Sequence, residues 1–587
     1  MKTDSPASRG CGEDEHALQY KVGFLGIPDS TKGEMRVPVP WNAENLGRLK
    51  ALGFNAIQLN VAWGPRPADE PLNIEDVVEL PPDQERRLPQ SVPLRCDPSP
   101  QRRRQRKADL RERLDLCRQA GLRTIFHFGA PYNAHCRYGD GPPNCISDPK
   151  VAERYVLLLD RFADEFTDVD DILVYTYDQD AWLCSEFGPC PRCLGVPLHE
   201  RLTPFLNELA KAWWRHSPQG RLWWEPWELS AGQVLRCVER LQPEGLGLAL
   251  HSNIAEVMAT HPVDRWFKNT CGLALRWGIP VVAECFLGAS SEELEPFLNL
   301  AHPLVTLRAL KALTAVPGVV GIKEYYGLAP DREDPNLRMA GLFFANPRIT
   351  EDEALRDLAR PYGKAVGKMT AFWRLAGEAM ELFPWETSWF VREVGRSRPD
   401  HSLAAAFLRG QQCHTPSWFS TRHAIFMKTD DAQPDPWMLE DVQLRCELAA
   451  ERMGEALEAA TEARGAVPAE FSERLAANMA DLGRFRRRAL AYAYHLRETN
   501  LATVMRVARK AGQKLPDRVT AELLAAMQAD LDNYRADQPS PAPTLLAWQD
   551  MEEAIALLRR SPDEFLEDYF TEKARPPSKG VFSVTSR

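Results

Sequence analysis

Two aspartates close one apolar run of this chain, Ile172-Leu-Val-Tyr-Thr-Tyr-Asp178-Gln-Asp180. Alternate side chains of an extended strand share a face, so Ile172, Val174, Thr176, Asp178 and Asp180 are predicted to point one way. Another carboxylate, Glu284, ends the run Val281-Val-Ala-Glu284-Cys-Phe286. Cleavage of a glycosidic bond needs such groups: a protonated acid to give its proton to the leaving oxygen, and a carboxylate across the anomeric carbon. Like-charge repulsion between Asp178 and Asp180 would raise one of their pKa values, as an acid requires. Asp180, Glu284 and Asp178 are therefore the catalytic candidates.

Other runs end in residues suited to sugars. Trp223-Trp224-Glu225-Pro-Trp227 and Ile322-Lys323-Glu324-Tyr325-Tyr326 mix carboxylates with rings, and His127, Tyr177, His251, Asn253 and Trp63 stand at comparable positions. Rings stack on sugar C–H faces, while imidazole, amide and carboxylate groups meet hydroxyls. Trp63, His127, Tyr177, Trp224, Glu225, His251, Asn253, Glu324, Tyr325 and Tyr326 are expected to bind substrate. The bland alternatives are that Glu324 pairs with adjacent Lys323 and that Trp213 and Trp214, on a helix, are core residues.

Directly after the paired aspartates comes Cys184-Ser-Glu-Phe-Gly-Pro-Cys190-Pro-Arg-Cys193. Three thiols in a tight Gly- and Pro-containing loop have the composition of a zinc knuckle, which needs a fourth ligand. Cys145 is the leading candidate, ahead of Cys136 and His135. The expected metal set is Cys145, Cys184, Cys190 and Cys193, holding structural zinc; the competing reading is a group of buried free thiols. No cofactor for catalysis is expected.

The elements that would position these groups repeat in one rhythm from about residue 20 to 325: a short apolar run, a polar loop, an amphipathic helix. Strands are predicted at Val22–Ile27, Ala56–Ala62, Thr124–Phe128, Ile172–Asp178, Arg221–Glu225, Leu246–His251, Ile279–Glu284 and Val319–Glu324. Eight such units predict a (β/α)8 TIM barrel over 20–330, with its active site at the C-terminal strand ends. Gly23-Phe-Leu-Gly26-Ile-Pro28 lacks the glycine pattern of a dinucleotide-binding sheet. Gly26-Ile-Pro-Asp29 lacks the His-x-His of a metal-dependent amidohydrolase barrel.

A mainly α-helical C-terminal domain is expected over 331–575, with helices at 353–381, 437–464, 469–510, 518–536 and 545–560. It would cover the barrel mouth or support a homo-oligomer. Residues 1–19 and 576–587 read as flexible termini. Net charge is −10 and the pI about 5.8, so no nucleic-acid footprint is expected. The basic run Gln101-Arg-Arg-Arg-Gln-Arg-Lys107 reads as a solvated helix start. With no apolar leader, no membrane-length run and thirteen scattered cysteines, the expected location is the cytoplasm.

The layout resembles glycoside hydrolase family 42 β-galactosidases, in which an Asn-Glu pair ends strand 4, a cysteine zinc site lies near the mouth and a Glu ends strand 7. Here Gln179-Asp180 stands in place of Asn-Glu, and Glu284 at the strand 7 position. The resemblance implies Asp180 as acid/base, Glu284 as nucleophile, and a retaining, exo-acting hydrolase with a carbohydrate substrate. Because Asp is one methylene shorter than Glu, the two carboxylates need not keep the family's spacing. Asp178-Gln-Asp180 is also similar to the acidic pairs of families 20, 84 and 18, which use the substrate's acetamido group as nucleophile. The run Gly318-Val-Val-Gly-Ile-Lys-Glu-Tyr-Tyr-Gly327 and the helical domain are similar to hexosaminidase-like and family 67 α-glucuronidase proteins. A barrel that binds carbohydrate without turnover is the remaining alternative.

Overall fold

The computed structural model describes residues 18–26, 39–62, 70, 73–88, 99–133, 144–177, 181–227, 229–252, 259–289, 291, 294, 297–385, 436–514, 517–536 and 544–569. Eight parallel strands close into a barrel in sequence order: β1 (Tyr20–Phe24), β2 (Ala56–Gln58), β3 (Arg123–Gly129), β4 (Asp171–Tyr175), β5 (Leu222–Glu225), β6 (Leu246–Leu250), β7 (Val281–Cys285) and β8 (Val319–Glu324). β8 returns to β1 through the register Tyr20 to Gly321 and Val22 to Lys323. The strands read as nearly continuous apolar runs because helices cover their outer face and side chains fill the inner one.

Helix boundaries follow local chemistry. Asn42, Asp148 and Asp264 cap the helices Ala43–Ala51, Pro149–Glu165 and Arg265–Arg276 by accepting backbone N–H groups of their first turns. The helix Pro100–Ala120 closes on Gly121, whose φ of 63° is one that other residues adopt at a cost. The basic run Gln101–Lys107 lies in the first turns of this helix, as expected, but it is not uniformly solvated. Arg106 is 0% exposed, and Arg103 pairs with Glu79. On the helix Leu198–His216, Trp213 is core as expected, whereas adjacent Trp214 turns away from it and is 44% exposed.

Past β8 the described chain is helical: Pro335–Ala345, Glu351–Ala359, Val366–Leu382, Pro436–Ala463, Ala469–Lys510, Asp517–Ala536, Thr544–Arg560 and Pro562–Tyr569. The single helix expected over 353–381 is split by a 3-10 turn, Arg360–Ala365, where Pro361 lacks an N–H and Gly363 takes a φ of 57°. One apolar core runs from the barrel into this region as far as Leu496, and a second gathers Ala502, Met505, Met527, Met551 and Phe565. The long helix Ala469–Lys510 grips the loop after β7 at one residue. Asn299 donates from its backbone N–H to Asp481, accepts from Arg474 at its side chain, and accepts from Asn478 at its carbonyl. No helix among the described residues is long and apolar enough to cross a membrane.

Candidate active site

Alternation along the strands stacks two layers inside the barrel. The lower layer is apolar: Tyr20, Val22, Ala56, Ile125, Leu173, Trp223, Ala249 and Val282. Gly247 makes room for it, since a Cβ there would stand 2.3 Å from the Trp223 ring. Two residues further along the same strands the character changes, giving Gln58, His127, Tyr175, Glu225, His251 and Glu284, each buried. Lys323 joins them from β8. A desolvated polar layer above an apolar plug, at the C-terminal ends of the strands, is where barrels of this kind carry their chemistry.

Glu284 is the electrostatic centre of this layer. Its Oε1 accepts from Lys323 Nζ at 2.9 Å, and its Oε2 lies 3.3 Å from His251 Nδ1. Burial disfavours the charge, yet Lys323 and His251 outweigh it and hold the carboxyl down at about 2. Lys323 is likewise fully buried, and the Glu284 and Glu225 carboxylates overcome that burial and raise its pKa. Both side chains are therefore ions at neutral pH.

Glu225 belongs to a second couple. Asn60 accepts from the His127 backbone N–H and donates to its carbonyl, tying the end of β2 to β3. The Ala62 N–H donates to His127 Nδ1 at 3.3 Å, which leaves the ring proton on Nε2. His127 Nε2 then faces Glu225 Oε2 at 3.2 Å, both 2% exposed or less. Beside them Tyr175 fills the inner face of β4, and a Cβ at Gly129 would stand 2.7 Å from its ring.

Buried rings pack beside this layer. Trp227 stacks on Tyr325 with centroids 5.0 Å apart and planes 12° apart, and lies 4.7 Å from His251. Its φ of 25° is one of two positive values at described residues other than glycine. Such strain costs about 1–3 kcal/mol and collects at functional sites.

Other expected residues fall elsewhere. On β4 it is Leu173 and Tyr175 that face inward, whereas Ile172 and Val174 join the outer core beneath the helices. Over the described part of β4, Ile172 and Val174 therefore lie on the outer face and not on the inner one expected from the sequence. Trp224 is also outward: it packs in the outer core and donates its indole N–H to Thr176 Oγ1, so it is not a substrate platform. Glu324 points out of the barrel, opposite Lys323. Its carboxylate accepts the backbone N–H groups of Leu287, Tyr326 and Gly327, bracing the loops after β7 and β8. Burial pushes that carboxyl up to about 7, against the pull of those donors. It is a structural brace and not a sugar ligand. Tyr326 is buried edge-on to Phe286, 6.1 Å away, and Tyr177 packs on Trp182 at 4.8 Å. Trp63, Asp178, Asp180 and Asn253 lie outside the described residues.

The structure brings four cysteines together. Cys145, from the loop after β3, meets Cys184, Cys190 and Cys193, from the loop after β4; all are buried, with sulfurs within 4.8 Å of one another. Cys145 Sγ lies 3.3 Å from Cys193 and 3.8 Å from Cys190. A tetrahedral zinc with Zn–S bonds of about 2.3 Å sets its sulfurs roughly 3.8 Å apart, so the set fits that ion. A hydrogen bond from Cys184 draws the Cys145 thiol down to about 5. Around the cluster the two loops are already joined: Tyr132 bridges Ala181, and Asn133 donates to the Trp182 carbonyl. Cys136 and His135 lie outside the described residues.

Neither a protein-family model nor a curated protein sequence matches the chain. Solved structures do. Over 93% of its length the chain is similar to 69% of a GH138 enzyme targeting pectin rhamnogalacturonan II, with a TM-score of 0.62 and 11% identity. It is also similar to CpGH84B, with a TM-score of 0.39 and 9% identity over 89% of this chain and 74% of that one. A GH5-4 broad specificity endoglucanase from Clostridium longisporum aligns at a TM-score of 0.35 and 11% identity, over 57% of this chain and 97% of its own. The barrel is one that glycoside hydrolases use.

Four inward residues are not among those expected from the sequence: Gln58, Lys323, Trp227 and Tyr175. The signal was present for Lys323. Strand alternation sets it on the face opposite Glu324, so a lysine facing into the barrel needs an acidic partner there. Glu284 on neighbouring β7 is that partner, in register with it.

Proposed function

We propose that this chain hydrolyses a glycosidic bond at the C-terminal mouth of its barrel, with Glu284 as the nucleophile. The observation that carries the reading is a buried carboxylate kept ionised at the end of β7, within a layer that also holds His127, Glu225 and His251, beside a stacked Trp227–Tyr325 pair. Glu284 would attack the anomeric carbon as the leaving oxygen takes a proton from Asp180. Water, deprotonated by Asp180, would then release the sugar with retention. Glu225 and His127 would bind hydroxyls, and the ring pair would take an apolar sugar face. The ammonium of Lys323 is held by Glu284 and its pKa is raised, which speaks against an amine-nucleophile reaction in the same barrel.

We further propose that Cys145, Cys184, Cys190 and Cys193 hold a structural zinc ion. Such an ion ties two loops into one rigid piece, and the residues just before Ala181 include Asp178 and Asp180. Sulfur–sulfur distances near the tetrahedral value, with every sulfur buried, support this.

Pectic oligosaccharides are sensible first substrates, given what the GH138 neighbour targets. The test is turnover of these and of an aryl glycoside panel by wild type and Glu284→Gln. Monosaccharide release by wild type, with a loss of at least about 10³-fold in the variant, is expected, since removing a nucleophile forfeits the covalent route. An unimpaired variant would reject the assignment.

A further inference from the structure

Among the described residues of the inner layer, Lys323 is the cation whose charge is fixed, and it is paired with Glu284. Its Nζ is 2.9 Å from Glu284 Oε1, and its field also acts with Glu225. The Tyr325 ring lies 5.7 Å from the same nitrogen. The other groups facing Glu284 are His251 from β6, at 3.3 Å, and, through Lys323, Glu225 from β5. Glu324 stands on the outer side of β8 with its oxygens on backbone N–H groups.

We infer that Lys323 is a positioning residue: it keeps Glu284 an anion, fixes the direction of its Oε1, and shares its charge with Glu225 so that both carboxylates can occupy one dry layer. Two anions in a low-dielectric floor repel strongly, and one of them would take up a proton if no cation stood near them. His251 cannot replace the lysine, because an imidazole is charged only when it carries a second proton. An ammonium held by a carboxylate stays charged across the working range, so Glu284 is ready to attack at every pH at which the partner acid is protonated. This role rests on the nucleophile reading above and is tested apart from it.

The experiment compares wild type, Lys323→Met and Lys323→Arg in two measurements. The first is the pH profile of kcat/KM on whichever aryl glycoside wild type cleaves. Lys323→Met is expected to move the acidic limb up by at least about one pH unit, the least that loss of a close opposite charge produces. Lys323→Arg should keep that limb near the wild-type position even if turnover falls. The second is urea unfolding from pH 3 to 8, which reads the charge of Glu284 without turnover. There Lys323→Met should gain stability relative to wild type as pH falls, because its Glu284 takes up a proton on folding.

An acidic limb unmoved in a folded Lys323→Met protein, with an unchanged stability profile, would overturn the inference. Absence of glycosidase activity in wild type would reject the nucleophile reading alone, and the unfolding series would still decide the role of Lys323. If Lys323→Met does not fold, Lys323→Met/Glu284→Gln should recover the fold by removing the stranded anion. Failure of that double variant to fold would count against the pairing.

Discussion

His127 Nε2 and Glu225 Oε2 lie 3.2 Å apart across the barrel, bridging β3 and β5 above the β4 strand between them. The two atoms approach without making a hydrogen bond, and the imidazole tautomer is set by the Ala62 N–H at Nδ1. Glu225 Oε2 is therefore a buried acceptor with capacity for a substrate hydroxyl. Glu225→Gln is expected to lower kcat/KM by about 10- to 100-fold, the worth of one hydrogen bond to a charged group. The fall should lie mostly in KM. Steady-state kinetics on the best substrate check this, and an unchanged KM would place Glu225 outside the binding layer.

Glu284 makes stability depend on acid. Its folded pKa of about 2 is below its ordinary value of 4.5, so its ion pair contributes fully above pH 4.5. The contribution is lost as pH falls from there toward 2. Chemical denaturation of wild type should show that decline. Glu284→Gln should lack it and be less stable at pH 7 by about 3–5 kcal/mol, since it strands a buried ammonium.

The Trp227 platform separates binding from strain. Trp227→Ala keeps the left-handed φ and loses the stacking on Tyr325, so it should raise KM about tenfold and destabilise the fold. Trp227→Gly loses the same ring but adopts that φ freely, and should be more stable than the alanine variant by about 1 kcal/mol. Denaturant midpoints and KM values for the pair check both halves. Equal stabilities would show that the backbone stores no strain there.

The architecture was legible in the sequence because each strand is an apolar run closed by a polar loop, and most helices carry a cap. The inward face was not. Strands buried on both sides carry no apolar–polar alternation, so Ile172, Leu173, Val174 and Tyr175 look alike in hydrophobicity, and the pattern does not tell the outer pair from the inner. The same ambiguity put Trp224 and Glu324 in the site and hid Lys323. Parity could have been anchored at the glycines. Gly129 and Gly247 are the places where a Cβ would meet Tyr175 and Trp223, and counting from them identifies the inner set. The cysteine cluster was readable because its spacing is local, with one ligand supplied by the neighbouring loop.

Elemental analysis of the purified protein should find about one zinc per chain, the stoichiometry of a closed four-thiolate site. Cys193→Ser should lose the metal and lower the melting temperature. Because the same loops flank residues 178–180, it should also reduce turnover more than substrate binding. Metal-free wild type with full activity would remove the zinc from the account.

Covalent trapping tests the central claim most directly. Wild type is incubated with the 2-deoxy-2-fluoro glycosyl fluoride of the sugar it releases, and the adduct is located by peptide mass spectrometry. One fluorosugar per chain, esterified to Glu284 and absent from Glu284→Gln, is the predicted result. An active enzyme that carries the label on another carboxylate, or takes up none while it turns over substrate, would contradict the account.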